Sequence, residues 1–287
     1  MPGLSDPVLE LAVVVLSRGE PQLPTALASL MRQSEAAEIV VSHSGPPTGL
    51  DPALEQYPDL RFDASVHRRM PGGARNAGVR ATSAPWVAFL AADCEALPGW
   101  VAGRIRRHRA GAVAVASAMA APQGAPAALA AHLLQHSARM PHVCSAPHLR
   151  FGVSYSRDAL EHHGGFDERL PVAEDVAMNA QLIAKGVVPD LAPEVLTVHA
   201  YPASMRTLVR DARRRGRLRW SVRGAHRPRG VLAARVLADA PAGALRAAAP
   251  GSGISASRLA ATLPYLAAGG TAAAAGVLTG GPRPRSV

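Results

Sequence analysis

Asp93 follows the apolar run 86–90 through Ala91 and Ala92, and precedes Cys94, Glu95 and then Leu97-Pro98-Gly99-Trp100. A carboxylate just past a buried strand stands at the sheet edge where α/β domains take ligands. It is a hard oxygen donor suited to Mg²⁺ or Mn²⁺; the plainer reading is a polar turn residue that caps the next helix. A second set is Gly164-Gly165-Phe166-Asp167-Glu168, followed by Glu174-Asp175. Paired glycines allow a tight turn. Acids in a first helical turn often only complement the helix dipole, whereas one that faces a cleft can act as a general base. His199 closes the apolar run 195–198 and reads either as a buried, hydrogen-bonded histidine or as a metal ligand. His132 and His136 are spaced i, i+4 and share a helix face, but no third ligand accompanies them, which speaks against zinc. Cys94 has no base beside it and reads as a packed thiol. No P-loop, GxGxxG or GxSxG pattern is present.

The elements that must position these residues follow from periodicity. Residues 10–16 and 38–41 read as buried strands, with a helix over 23–32 between them. The second strand ends in the turn-like Ser44-Gly45-Pro46-Pro47. A weaker strand lies near 60–62, and a helix over 74–81 follows the Pro71-Gly72-Gly73 breaker. Residues 86–90 form another strand, 99–109 a helix with a basic outer face, and 112–119 a further strand. A helix over 127–139, a strand over 150–155, a helix over 175–184, a strand over 195–198 and a long basic helix over 205–220 complete the pattern. Such alternation predicts an α/β domain with a mainly parallel sheet flanked by helices. Beyond about residue 225, Gly, Pro and Ala dominate.

Composition narrows the function classes. Of 287 residues 48% are apolar and 18% charged, which excludes a mostly disordered chain. Two cysteines exclude a disulfide scaffold. The net charge of +10 is unevenly distributed: residues 1–200 carry 16 bases and 19 acids, residues 201–287 carry 15 bases and two acids. The excess therefore belongs to a basic C-terminal portion and not to the body. The first apolar run, 11–16, is too short for a signal peptide and follows Asp6 and Glu10, so the body is expected to be cytoplasmic. Residues 259–282 hold no charge, between Arg258 and the pair Arg283 and Arg285. A spanning helix, an interfacial segment and a soluble tail are all compatible with that length and its weak hydropathy.

Taken in order, these pieces resemble a family 2 glycosyltransferase of the GT-A fold, over roughly residues 10–220. The run 11–16 with Ser17 resembles the family's opening strand, and Glu38-Ile39-Val40-Val41 its second. Gly73-Ala74-Arg75-Asn76-Ala77-Gly78 is similar to the ArNxG segment. Residues 87–93 with Pro98-Gly99-Trp100 are similar to the strand, DXD position and PGW exit. Residues 164–168 are similar to GGFDE, Glu174-Asp175 to the ED motif, and His199 falls where many members place a histidine.

The resemblance implies an inverting, metal-dependent transferase that moves a sugar from a nucleotide-sugar donor to a hydroxyl of a cell-envelope glycolipid or polysaccharide precursor. Asp175 would be the catalytic base. Ser17, Ser42, Arg75, Asn76 and Asp93 would bind the donor, and Gly165, Phe166, Asp167 and Glu174 would form the acceptor side. Mg²⁺ or Mn²⁺, held by Asp93 and His199, would stabilise the departing nucleoside diphosphate.

Three departures fall on the donor side. The family's acid after the second strand is replaced by Ser42 and then His43, its Asn after the first strand by Gly19, and the first Asp of DXD by Ala91. The acceptor-side motifs are intact, so the expectation is an active enzyme with altered donor recognition. In this variant Asp93-x-Glu95 puts two carboxylates within one turn, and Glu95 could assist the metal. The rivals are a catalytically silent GT-A-like binding protein and a basic protein that binds membrane or nucleic acid. The basic helix ends in Arg219-Trp220, similar to the QxxRW of processive members, but Gly216 occupies the glutamine position. The expected division is a GT-A domain over 1–224 and a basic C-terminal region over 225–287, with 259–282 as a candidate membrane-associated segment. The chain is expected to be peripheral to the inner face of the plasma membrane, on an anionic surface. Nucleic acid is not expected as a partner, because aromatic residues for base stacking make up only 4% of the chain.

Overall fold

The computed structural model describes residues 9–46, 51–144, 152–223 and 227–281. Asp6, Pro47, Arg150, Phe151, Pro282, Arg283, Arg285 and the composition change near 225 lie outside the described residues. By packing, the chain forms two compact units that are not consecutive in sequence. One comprises residues 1–118 and 145–198, the other 119–144 and 199–287.

The first unit is built on the sheet. Its strands are β1 (Leu11–Ser17), β2 (Glu38–Ser44), β3 (Arg61–Ser65), β4 (Trp86–Ala91), β5 (Cys94–Ala96), β6 (Ala114–Met119), β7 (Val153–Ser156) and β8 (Asp190–His199). Their order is β3-β2-β1-β4-β7-β6-β8-β5. β1 pairs in parallel with β2 and β4, and β2 with β3. β7 runs antiparallel to β4 and β6. The sheet is therefore mixed and mostly parallel. Leu11 to Val15 are fully buried, because β1 has a strand on each side and helices over its faces, as parallel strands require. Each such Val or Leu contributes about 1.5–3 kcal/mol of burial.

The described helices, in chain order, are α1 (Leu23–Met31), α2 (Asp51–Gln56), α3 (Pro71–Arg80), α4 (Trp100–Arg109), α5 (Pro126–His136), α6 (Arg157–His162), α7 (Glu174–Ala184), α8 (Met205–Arg223), α9 (Arg229–Ala248) and α10 (Ala256–Leu278). α3 begins with Pro71 in its first turn, where the missing N–H costs nothing. It lies so close to β1 that a Cβ on Gly78 would run into the Val14 side chain. Gln33, just past α1, donates to the Ala96 and Leu97 carbonyls at 3.2 and 3.1 Å and accepts from the Trp100 N–H at 2.9 Å. It thereby fixes the segment that follows Asp93.

Several sequence expectations are corrected here. β2 continues to Ser44 instead of stopping at Val41, because Ser44 pairs with Ser65 of β3. β8 spans ten residues instead of four, and β5, α2 and α6 are too short for periodicity to reveal. The outer face of α4 is basic as expected, through Arg106, Arg107 and Arg109, but Arg104 lies on the inner face and is fully buried. Its guanidinium lies 4.1 Å from the Trp100 ring centroid and donates to the Val115 and Gly152 carbonyls and to Ser154 Oγ. A buried cation at that position is tolerated because these acceptors replace water.

The second unit is helical: α5 with the 3₁₀ turn Ser137–Arg139, then α8, α9 and α10. Leu129, Leu133, Leu134, Leu208 and Leu266 form one core, and Trp220, Leu232, Val236, Ala274 and Val277 another. The Gly- and Ala-rich composition beyond 225 thus builds two long helices. Glycine permits the close approach: a Cβ on Gly276 would meet the Arg213 backbone of α8, and one on Gly270 would stand 3.1 Å from Ala240 of α9. α10 is, among the described residues, the one helix long and apolar enough to cross a membrane.

Candidate functional site

The carboxyl ends of β1, β2 and β4 converge on a cavity of about 190 Å³ in the sheet unit. Leu16, Ser17, Arg18 and Glu20 line it from the end of β1, Ser44 from β2, and Ala91 and Asp93 from β4. Pro71, Ala74 and Arg75 bring the first turns of α3, while Arg69 and Glu174 complete the wall. Three guanidinium groups and three carboxylates therefore share the lining. The α3 N-terminal turn adds the positive end of a helix dipole, which favours anions.

Arg75 holds the wall together. Its Nε donates to Glu174 Oε1 at 2.9 Å, with the two side chains 16% and 6% exposed. The guanidinium carbon lies 4.9 Å from the Phe89 ring centroid and 5.3 Å from that of Phe166. The pair is thus both screened from water and held by cation–π contact. Glu174 opens α7 directly after Ala173, whose φ of 66° is the one positive value at a non-glycine among the described residues. Such a conformation costs of order 1–3 kcal/mol and concentrates at functional sites.

The glycine turn before α7 is stitched to α3. Gly164 and Gly165 have φ of 73° and 74°. Asn76 Oδ1 accepts from the Phe166 N–H at 2.9 Å, and its Nδ2 donates to the Phe166 carbonyl and to Glu168 Oε1, each at 2.9 Å. A Cβ on Gly165 would stand 2.7 Å from Asn76 Oδ1, so both the backbone angle and the packing require glycine. Asp167 accepts from the Arg169 side chain and N–H, which together hold its pKa down to about 2.

The residues singled out in the sequence fall into distinct positions. Ser17, Arg75, Asp93 and Glu174 line the cavity. Asn76, Gly165, Phe166 and Asp167 form the scaffold beside it. Ser42 is buried and donates to the Ala74 carbonyl at 2.7 Å; it is not among the lining residues. Asp175 is half-buried, accepts from the Val176 N–H at 2.8 Å and also stands off the cavity wall. Glu95 is exposed on β5. Cys94 is largely buried, its Sγ 3.7 Å from Asp93 Oδ1. His199, the last residue of β8, belongs to the helical unit, where its ring centroid lies 4.6 Å from Tyr201 and 6.0 Å from His136. His132 Nδ1 meets Tyr201 Oη at 3.1 Å, and burial pushes the His132 pKa down to about 3.

Sequence reasoning missed Arg18, Glu20 and Arg69. Arg18 immediately follows β1, so the strand-end rule that selected Asp93 also covers it. Arg69 gave no such signal: it reaches the wall from the segment after β3, where it pairs with Asp63 and its N–H meets Ser44 Oγ at 2.5 Å. Tyr155 on β7 is buried and donates to Asn179 of α7 at 2.9 Å; burial pushes its phenol above the usual range.

With this geometry in place, comparison identifies the relatives. Residues 11–141 match the family described as "Glycosyl transferase family 2", so the resemblance carried by the motifs holds over that segment. No curated protein matches the chain. The mannosyltransferase PcManGT from Pyrobaculum calidifontis, solved in complex with GDP-Man and Mn²⁺, is similar in fold. It aligns over 94% of this chain and 87% of its own, with TM-score 0.53 and 22% identity. TarS 1-349 of S. aureus aligns over 90% of this chain and 70% of its own at 16% identity, TM-score 0.48. Its complex with UDP aligns over 80% and 66% at 16% identity, TM-score 0.49. The α/β fold, with its mixed, mostly parallel sheet flanked by helices, is that of the GT-A glycosyltransferases.

Proposed function

We propose, from the family 2 glycosyltransferase segment at 11–141, that the chain transfers a sugar from a nucleoside-diphosphate sugar to an acceptor hydroxyl with inversion at the anomeric carbon. The observation that carries this reading is the cavity at the strand ends, where Arg18, Arg69, Arg75 and the start of α3 line one wall with Asp93, Glu20 and Glu174, and the last of these is neutralised by Arg75. That charge pattern suits a diphosphate. Arg18 and Arg69 supply its positive partners, and Arg75 keeps Glu174 and the aromatic wall in place.

Asp93 fits a divalent cation as one hard oxygen ligand, and Mg²⁺ characteristically takes its other ligands from phosphate and water. When bound, Mg²⁺ or Mn²⁺ would act as a Lewis acid for the leaving diphosphate. The motif resemblance adds His199 to that role. Asp175, at the start of α7 and off the donor cavity, is the assigned base on the acceptor side. It takes the hydroxyl proton as the acceptor oxygen forms its bond to the anomeric carbon and the bond to the diphosphate oxygen breaks. Ser42 is already engaged with Ala74, so it leaves the nucleobase without the acid that the family places there. Donor choice then rests on other wall residues, Ser17 and Ser44 among them. The acceptor is proposed to be a cell-envelope glycolipid or polysaccharide precursor at the inner face of the plasma membrane.

Calorimetry with a panel of nucleotide sugars, with and without Mn²⁺, tests the reading. GDP-mannose, the ligand of the similar mannosyltransferase, is the first to try. The native chain should bind a donor and Asp93→Ala should bind it more weakly. Absence of binding to every donor under every metal condition removes the transferase reading. Binding without turnover on any acceptor favours a silent donor-binding protein.

A further inference from the structure

The helical unit carries a surface that the sugar-transfer reading does not use. Arg219 of α8, Arg227 of the connecting segment, and Leu232, Arg235, Ala238 and Asp239 of α9 line an open cavity of about 350 Å³. Arg219 is paired with Asp239 at 2.5 Å, which leaves an excess of two guanidinium charges. Beside the cavity, α9 presents Val231, Ala234, Ala238, Pro241 and Leu245 to solvent. Their spacing of i, i+3, i+7, i+10 and i+14 forms one stripe, about 21 Å long at helical rise. Leu237 borders it. Leu245 is 74% exposed, and Val231 and Leu237 are each 46% exposed.

We propose that this α8–α9 surface docks on an anionic lipid bilayer, with the Arg219–Arg227–Arg235 cavity receiving a headgroup phosphate and the α9 stripe entering the headgroup–acyl boundary. Guanidinium groups match phosphate oxygens in pairs, and an apolar stripe flanked by arginine is the pattern of an interfacial helix. Nucleic acid would use the charge but not the stripe, and the neighbouring aromatic, Trp220, is buried and covered by Arg229 at 4.3 Å. α10 plays a different part. Gly269, Gly270 and Gly276 seat it against its neighbours in this unit, so it supports the docking helices. The inference is independent of the sugar-transfer reading, since lipid binding needs no donor.

Co-sedimentation of the full chain with vesicles tests it. Binding should be strong to phosphatidylcholine–phosphatidylglycerol vesicles, weak to phosphatidylcholine alone, and reduced by salt. Each arginine near the surface is worth about 1 kcal/mol, about fivefold, so Arg227→Ala with Arg235→Ala should weaken binding about 25-fold. Replacement of both by Lys should retain most of it. Leu237→Ser with Leu245→Ser should weaken binding about tenfold or more with every charge intact. Circular dichroism confirms that each variant keeps its helix content. Equal binding to the two vesicle types, or undiminished binding by both paired variants, overturns the proposal. So does tighter binding of duplex DNA than of the anionic vesicles at the same salt.

Discussion

Arg75 and Glu174, 99 positions apart, form an ion pair at 2.9 Å with the guanidinium between Phe89 and Phe166. The contact ties α3 to α7 and sets the wall between the strand-end cavity and the glycine turn. Removing one partner leaves the other charge buried, which costs about 3–5 kcal/mol. Arg75→Ala should lower unfolding free energy by that order in urea. Arg75→Lys should also lose most of the site's function, because a lysine cannot reproduce the planar contact with both rings.

Asp93 and Asp175 are expected to separate binding from turnover. Asp175→Asn should leave calorimetric donor affinity unchanged and lower the rate of sugar transfer by about 10²–10⁴. Retained turnover would remove Asp175 from the base role. If Asp175→Asn instead abolished donor binding, Asp175 would act in donor binding and not as the base on the acceptor side.

Gly78 is the point where α3 touches β1. Gly78→Ala should push the helix off Val14 and destabilise the chain by about 1–3 kcal/mol, read as a lower urea midpoint. Because α3 also carries Arg75 and Asn76, the same variant should weaken donor binding. A fully stable Gly78→Ala protein would show that α3 can shift without cost.

His108 gives stability a pH dependence. Burial, with Arg104 nearby, holds its pKa at about 4, against the ordinary 6.5. Its ring stacks on Trp86 with centroids 5.2 Å apart. Nδ1 meets the Ala112 carbonyl at 2.7 Å, so it carries the proton, and Nε2 accepts from Ser154 Oγ at 2.8 Å. That hydroxyl in turn accepts from Arg104, so a second proton on the ring would turn the Ser154 O–H away from Nε2 and place a second buried cation beside the guanidinium. The unfolded chain binds this proton at higher pH than the folded one. Stability is therefore complete above about pH 6.5 and declines as pH falls toward 4, by about 1.4 kcal/mol per pH unit at most. His108→Gln should flatten that slope in denaturant titrations between pH 7 and 4.5.

Much of the sheet was legible from residue order. The run Leu11-Ala12-Val13-Val14-Val15 could only be a strand covered on both faces, and the carboxylate three residues past the run 86–90 had to stand at its ligand edge. The glycine pair, Glu174-Asp175 and Arg75-Asn76 were likewise visible as motifs, and the segregation of charge into residues 201–287 is a property of the sequence alone. What each side chain is engaged with was decided elsewhere. Asn76 and Arg75 are neighbours in one motif, yet the first is committed to the glycine turn and the second to the cavity wall. Their hydrogen-bond partners lie some 90 to 99 residues away. Arg69 joins the wall from a segment with no local signal, Ser42 is engaged by a carbonyl of α3, and Arg104 is buried against a basic-looking pattern. Residues beyond 225 looked formless because Ala and Gly lack hydrophobic contrast, while their small size is what lets α10 pack closely against α8 and α9. Local periodicity determines which segments become strands and helices; only the non-local contacts of the folded chain determine which polar groups remain available for chemistry.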